Sequence, residues 1–169
     1  MFTEGSLVMY GSEGVCRITR VGEMPFPGAL PGKCYYTLEP VFSPGVVYAP
    51  LDVPVVMREL ITRQEAERLI AAIPDMAAPE TVSRDPKAAE ALYKGYLSHY
   101  DPESFLALIR CIHAKNEESR KPYNQTDERY FRRAQTLLHG ELSVALGIPV
   151  EQVEDYIRER AAGGGVVSD

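Results

Sequence analysis

The hydrophobic period of this chain changes once, at Thr62, and that change limits the folds open to it. Before Thr62, apolar and polar residues alternate in short runs broken by glycine and proline. The run Val15-Cys16-Arg17-Ile18-Thr19-Arg20-Val21 has the period of two that belongs to a half-buried strand. After Thr62, apolar residues recur every three or four positions, the spacing of one helix face. The expectation is a segregated α+β chain, strands first and helices second. With 169 residues, 45% of them hydrophobic, it can bury one core of ordinary size or two small ones.

Within residues 1–60, Leu7-Val8-Met9-Tyr10 leads into the turn Gly11-Ser12-Glu13-Gly14 and then the alternating run. A proline- and glycine-rich loop, Gly22 to Gly32, precedes Cys34-Tyr35-Tyr36-Thr37-Leu38-Glu39-Pro40. A second turn, Ser43-Pro44-Gly45, precedes Val46-Val47-Tyr48-Ala49-Pro50, and Pro54-Val55-Val56-Met57-Arg58 offers a last short strand. Short strands separated by turn signals at this density describe a small β-barrel.

Residues 61–161 read as an all-α domain of about five helices. Thr62-Arg63-Gln64-Glu65 fits a capping box, and the helix it opens stops before Pro74. Asp85-Pro86 and Asp101-Pro102 each pair an N-cap with proline at the first helical position. Leu92, Tyr93 and Tyr96 face inward from the second helix, and Phe105, Leu108, Ile109 and Ile112 from the third. A fourth begins near Asn124 or Thr126, buries Tyr130, Phe131, Ala134, Leu137, Leu138, Leu142 and Ala145, and ends at Gly147. The last runs from Val150 to Arg160, acids early and arginines late. Residues 162–169 read as a glycine-rich, disordered tail.

Catalytic signals are thin. His99, His113 and His139 stand far apart, and no HExxH, GxSxG, Walker A or GxGxxG motif is present. Cys16, Cys34 and Cys111 are odd in number and widely spaced, so they read as reduced packing residues rather than disulfides or a zinc site. Glu117-Glu118 and Asp127-Glu128 read as solvated helix turns. These features predict a non-enzymatic protein with no cofactor, no metal and no small-molecule substrate. No apolar run reaches membrane-spanning length, and Met1-Phe2-Thr3-Glu4-Gly5 lacks a basic leader, so a cytoplasmic location without membrane contact is expected.

Binding signals are more specific. A net charge of −6 argues against coating nucleic acid non-specifically, which depends on neutralising phosphates. Residues 110–133 nevertheless hold seven bases (Arg110, Lys115, Arg120, Lys121, Arg129, Arg132, Arg133) against four acids, an excess of three. They form either a solvated face or a phosphate-contacting patch, and Arg84 with Lys87 makes a smaller basic group. Val46, Val47, Tyr48 and Ala49 form an uncharged, β-prone segment. At a sheet edge it would accept another protein's strand, and in the middle it would be core; the sequence leaves both open.

The order and spacing of several segments resemble the CarD-type regulators. Phe2-Thr3-Glu4-Gly5-Ser6-Leu7-Val8-Met9-Tyr10, followed by Glu13-Gly14-Val15, is similar to that family's opening pattern of phenylalanine, glycine, paired valines and tyrosine. Tyr35-Tyr36-Thr37-Leu38, Val46 through Pro50 and Met57-Arg58 fall where the family places its later strands. Asp127-Glu128-Arg129-Tyr130-Phe131, Ala134, Leu137-Leu138, Gly140-Glu141-Leu142 and Ala145 are similar to its late helix, so the likeness spans residues 2–160.

This resemblance implies a Tudor-like (SH3-like) barrel that binds the RNA polymerase β subunit through Val46, Val47, Tyr48 and Ala49. It also implies a helical domain that touches promoter DNA through Val82, Arg84, Lys87, Arg129, Arg132 and Arg133 and stabilises the open complex. The chain departs from the family at particular positions. Val82 stands where the family has a tryptophan wedge, Glu128 where it has a lysine, and Tyr48 where some relatives carry a basic polymerase contact. The loop Pro25-Phe26-Pro27-Gly28-Ala29-Leu30-Pro31 is also unusual for it. These departures leave a second reading, an adaptor on polymerase without productive DNA contact, and a third, a small enzyme with an unrecognised site.

Overall fold

The structure, a computed structural model, describes residues 2–52 and 56–162. The chain divides into two compact units, Met1–Leu60 and Ile61–Asp169.

Among the described residues of the first unit there are five antiparallel strands: β1 (Leu7–Tyr10), β2 (Gly14–Gly22), β3 (Tyr35–Pro40), β4 (Val47–Pro50) and β5 (Met57–Glu59). Their order in the sheet is β4-β3-β2-β1-β5, a meander whose fifth strand returns to pair with the first. The register sets Val8 opposite Cys16, Ile18 opposite Leu38 and Tyr36 opposite Ala49. These six side chains form the buried core, with Phe2, Tyr10, Val21, Val47, Leu51 and Met57 packed around it. The alternation visible in β2 therefore selects one face, because a one-residue slip would turn Cys16 and Ile18 out to solvent. A bulge between Ile18 and Arg20 shifts the register against β3 and sharpens the local twist. Gly14, at φ 82°, lets the chain leave a single 3-10 turn (Gly11–Glu13) and enter β2.

The sheet is open where the sequence suggested a closed barrel. Among the described residues, β4 and β5 each pair with one neighbour, and at four and three residues they offer few backbone groups for closure. Pro54 and Val55, read above as part of the last strand, lie outside the described residues, and β5 begins at Met57.

Among the described residues of the second unit there are five α-helices: α1 (Arg63–Ala72), α2 (Pro86–Leu97), α3 (Pro102–Ser119), α4 (Gln125–Leu146) and α5 (Val153–Ala162). The local signals act as expected at most ends. The Thr62 hydroxyl accepts from the Glu65 amide at 3.1 Å while the Glu65 carboxylate accepts from the Thr62 amide at 2.7 Å, completing the capping box. Asp101 and Asn124 cap α3 and α4 through the amides of Ser104 and Asp127, each at 2.7 Å. Asp85 precedes Pro86 but makes no side-chain cap bond. Gly147, at φ 70°, ends α4 in a Schellman arrangement in which the Ile148 amide reaches the Ser143 carbonyl at 3.1 Å. A 3-10 turn, Val150–Gln152, precedes α5, which extends through Ala162. The tail expected over 162–169 lies outside the described residues from position 163 onward.

Tyr93, Phe105, Leu108, Ile112, Leu142 and Leu146 are fully buried in this unit. On α2 the innermost side chain is Tyr93, while Leu92 and Tyr96 are half-buried. Ile109 is half-buried as well, and Cys111 takes the deeper place beside Ile112. Glu141 is fully buried on α4 and accepts a 2.9 Å bond from the amide of Ile61, the first residue of the unit. The Tyr156 hydroxyl on α5 donates to the Glu67 carboxylate on α1.

Gly147→Ala should destabilise the protein by about 1–2 kcal/mol, since a Cβ at this left-handed position meets no neighbour and only backbone strain acts. Urea unfolding measures it, with a lower midpoint and an unchanged m-value expected.

Candidate functional site

The sheet order answers the question that the sequence left open about Val46, Val47, Tyr48 and Ala49. Val46 precedes β4, the other three lie on it, and β4 is an edge strand. Its side chains alternate: Val47 packs on the core, Tyr48 is 39% exposed on the other face, and Ala49 is buried. One side of its backbone pairs with β3, from Leu38 opposite Val47 to Tyr35 opposite Pro50. Among the described residues no strand pairs with the other side, up to Pro50, which has no amide hydrogen to donate.

The proline-rich loop folds against this strand. Gly22 and Tyr35 are cross-strand partners, so residues 23–34 leave and rejoin the sheet at one place, as an Ω-loop does. Phe26 stacks on Tyr48 with centroids 4.1 Å apart and planes 6° from parallel, and it meets the Tyr35 ring edge-on at 4.8 Å. The Tyr35 hydroxyl accepts from the Leu30 amide at 3.1 Å, and Lys33 pairs with Asp52 at 3.3 Å. Tyr35 and Tyr36, adjacent in sequence, are consequently both buried, one beneath the loop and one in the core.

In the helical unit, Arg84 and Lys87 are exposed around the start of α2, and Arg129, Arg132 and Arg133 are exposed on α4. The three α4 arginines line an open groove of about 360 Å³ with Leu97, Tyr130 and Thr136. Much of their charge is already met. Arg129 binds Glu90 at 3.1 Å and lies over the Tyr130 ring, and Arg132 binds Glu128 at 2.5 Å. Glu90 also accepts from the Tyr130 hydroxyl, which ties α2 to α4 across this face. Lys115, counted above among the seven bases, points inward to Asp127.

Val82 requires a correction. It is 8% exposed, so it packs inside the helical unit and offers no apolar surface to a DNA groove. A small branched aliphatic side chain ahead of α2 is more stable buried than solvated.

Asp127 requires another. It is 2% exposed rather than solvated, and it sits at the centre of a polar network. The Tyr93 hydroxyl donates to it at 2.7 Å, and the Lys115 ammonium contacts its two oxygens at 3.1 and 2.9 Å. The Asn116 amide approaches at 3.5 Å. Burial first, then the hydrogen bond and charge of Asp127, hold the Tyr93 hydroxyl well above its usual titration range. Both buried acids lie on the α4 stripe, Asp127 three residues before Tyr130 and Glu141 three after Leu138. Spacing alone would have placed them inside; their charge argued otherwise.

No group of three histidine, cysteine or acidic side chains is placed to hold a metal ion among the described residues. The His113 Nε2 is buried without a hydrogen bond, 3.6 Å from the Glu117 carboxylate. Burial, followed by the charge of Glu13, pushes the Cys16 thiol up to about 11, and burial raises Cys111. Cys34 is exposed, unlike the packing residue that the sequence suggested. No described helix is long and apolar enough to cross a membrane.

Asp127→Ala should lower unfolding free energy by about 3 kcal/mol, because it strands the Lys115 charge and the Tyr93 hydroxyl. Tyr93→Phe, which leaves the lysine pair intact, should cost about 1–2 kcal/mol. Equal losses in chemical denaturation would refute the central place given to the carboxylate. Thiol labelling of the native protein at pH 8 should give one fast equivalent, Cys34, and three after unfolding. No family model matches the chain, and no curated protein is similar to it in sequence.

Proposed function

We propose that the chain is a CarD-like regulator that binds the RNA polymerase β subunit through β4 and acts on promoter opening through its helical domain. In this reading the N-terminal sheet corresponds to the family's Tudor-like barrel, and the protein works in the cytoplasm as a binding protein without a chemical step. The observation that carries the reading is the edge position of β4, which leaves one row of backbone donors and acceptors beside the exposed Val46 and Tyr48. Strand addition draws affinity from those backbone bonds and specificity from alternate side chains. The ordered likeness of residues 2–160 to the family supports the choice of partner.

Promoter DNA is the second partner in this proposal, contacted by Arg84, Lys87 and Arg133 with smaller contributions from Arg129 and Arg132. A protein that holds the melted promoter more tightly than the closed one shifts that equilibrium by its affinity ratio. The adaptor reading draws support from the same face: Val82 is buried, and the guanidinium groups of Arg129 and Arg132 are paired with acids.

One experiment separates the readings. With purified polymerase, Tyr48→Asp should weaken β-subunit binding about tenfold. Arg84→Ala with Lys87→Ala should leave that binding intact, shorten open-complex lifetime and flatten its salt dependence by roughly one unit of log–log slope per lost phosphate contact. Unchanged binding for Tyr48→Asp removes the docking claim. An unchanged lifetime for the double variant leaves the adaptor.

A further inference from the structure

On the face of the helical unit that carries the α4 arginines, one carboxylate answers three donors. Glu90 lies on α2 and turns a single oxygen, Oε1, toward all of them. The Arg129 guanidinium reaches it at 3.1 Å, the Tyr130 hydroxyl at 3.0 Å and the Lys94 ammonium at 3.9 Å. Lys94 stands one turn after Glu90 on α2, and Arg129 and Tyr130 come from α4, so the carboxylate sits where the two helices meet. Its side chain is 34% exposed and remains in contact with solvent.

Around this carboxylate positive charge is in excess. Arg129, Arg132, Arg133 and Thr136 recur at the spacing of one helix face and line a single groove with Tyr130 and Leu97. With Lys94 they bring four cations against two acids, Glu90 and Glu128, and no described acid pairs with Arg133. A carboxylate is planar and has two oxygens. Three guanidinium groups within little more than one turn suit an anion with oxygens on several sides, and the arginine fork matches phosphate oxygens in pairs. The groove is open and its rim cationic, unlike the enclosed apolar pocket that selects a small neutral ligand.

We infer that this groove takes a phosphate group and that Glu90 is its resident counter-anion, held on Arg129 until a phosphate displaces it. A partly exposed ion pair contributes little in water, so a ligand with more negative charge and more acceptor oxygens can replace it. The phosphate comes from a nucleic-acid backbone or from a free phosphate ester, which share this chemistry. In its nucleic-acid form the inference deepens the DNA-contact reading of this face and rests on it. Glu90 then sets a threshold, because every incoming phosphate competes with a carboxylate already tethered on α2. Glu90 and Arg129 are 39 positions apart, so no local pattern announces the pairing.

The test uses the full chain, with anisotropy of a labelled promoter duplex at low and moderate salt and calorimetry with pyrophosphate. Glu90→Gln keeps the shape of the side chain and an acceptor for Tyr130 but removes the charge. It should bind both probes about threefold more tightly at low salt. It should also steepen the DNA salt dependence by about one unit of log–log slope, as Arg129 gains a phosphate. Adding Arg129→Gln should cancel the gain. Tyr130→Phe breaks an α2–α4 bond to the same oxygen but keeps the charge, and it should bind both probes as the parent does. A gain equal to that of Glu90→Gln would assign the effect to loosened packing and overturn the inference. Parent-like binding of both probes by Glu90→Gln overturns it too, and leaves the DNA reading standing where the parent binds the duplex through Arg84 and Lys87. If no form binds the duplex, the DNA reading falls, and tighter pyrophosphate binding by Glu90→Gln alone retains the site for a free phosphate.

Discussion

The helical unit depends on one buried carboxylate. Asp127 stands at the first turn of α4, where its own amide is capped by Asn124, and its side chain gathers Tyr93 from α2 and Lys115 from α3. A lone ionised group at 2% exposure would be expensive, and a buried lysine no less so; together, with a phenol completing the shell, they are tolerated. The arrangement is directional, as an apolar contact is not. Rotating α2 by one residue would take the Tyr93 hydroxyl off the carboxylate, so the pairing fixes the rotation of three helices that ridge packing alone would leave looser. That registration sets Glu90 beside Arg129 and Tyr130, and with them the composition of the basic face.

The sheet unit is organised differently, by covering both faces of one region. Its core face is fixed by strand alternation, but β3 buries two successive tyrosines, which alternation forbids unless something lies on the far side. The proline-rich loop fills that role, with Phe26 wedged against Tyr35 and Tyr48. Proline in the loop lowers the entropy lost when it is held in place. The edge strand is thus supported on its outer face, while no described strand pairs with its outward backbone row.

Features decided within a few residues were legible in the sequence. The Thr62–Glu65 capping box, the Asn124 cap and the Gly147 terminus each depend on groups five or fewer positions apart, and the structure has them. What could not be read depends on partners far along the chain. The edge position of β4 is a property of the sheet order, and nothing within residues 46–49 encodes it. Asp127 was misplaced because acids are seldom buried, a rule with one common exception, the paired acid, whose partners here lie 12 and 34 residues away. Val82, expected at the surface, is 8% exposed, and a lone valine carries no local signal for either place.

The bond between the Glu141 carboxylate and the Ile61 amide joins residues 80 positions apart. It has a consequence for synthesis on the ribosome. The first amide of the helical unit has no carboxylate to meet until most of α4 has been translated, so α1 can cap itself early but cannot be fixed in its final place. The described strands of the N-terminal sheet pair only with one another, within the first sixty residues, and are under no such delay. The order of synthesis therefore allows the strands to pair before the helices close, and a chain stalled within α4 would lack the carboxylate that meets the Ile61 amide.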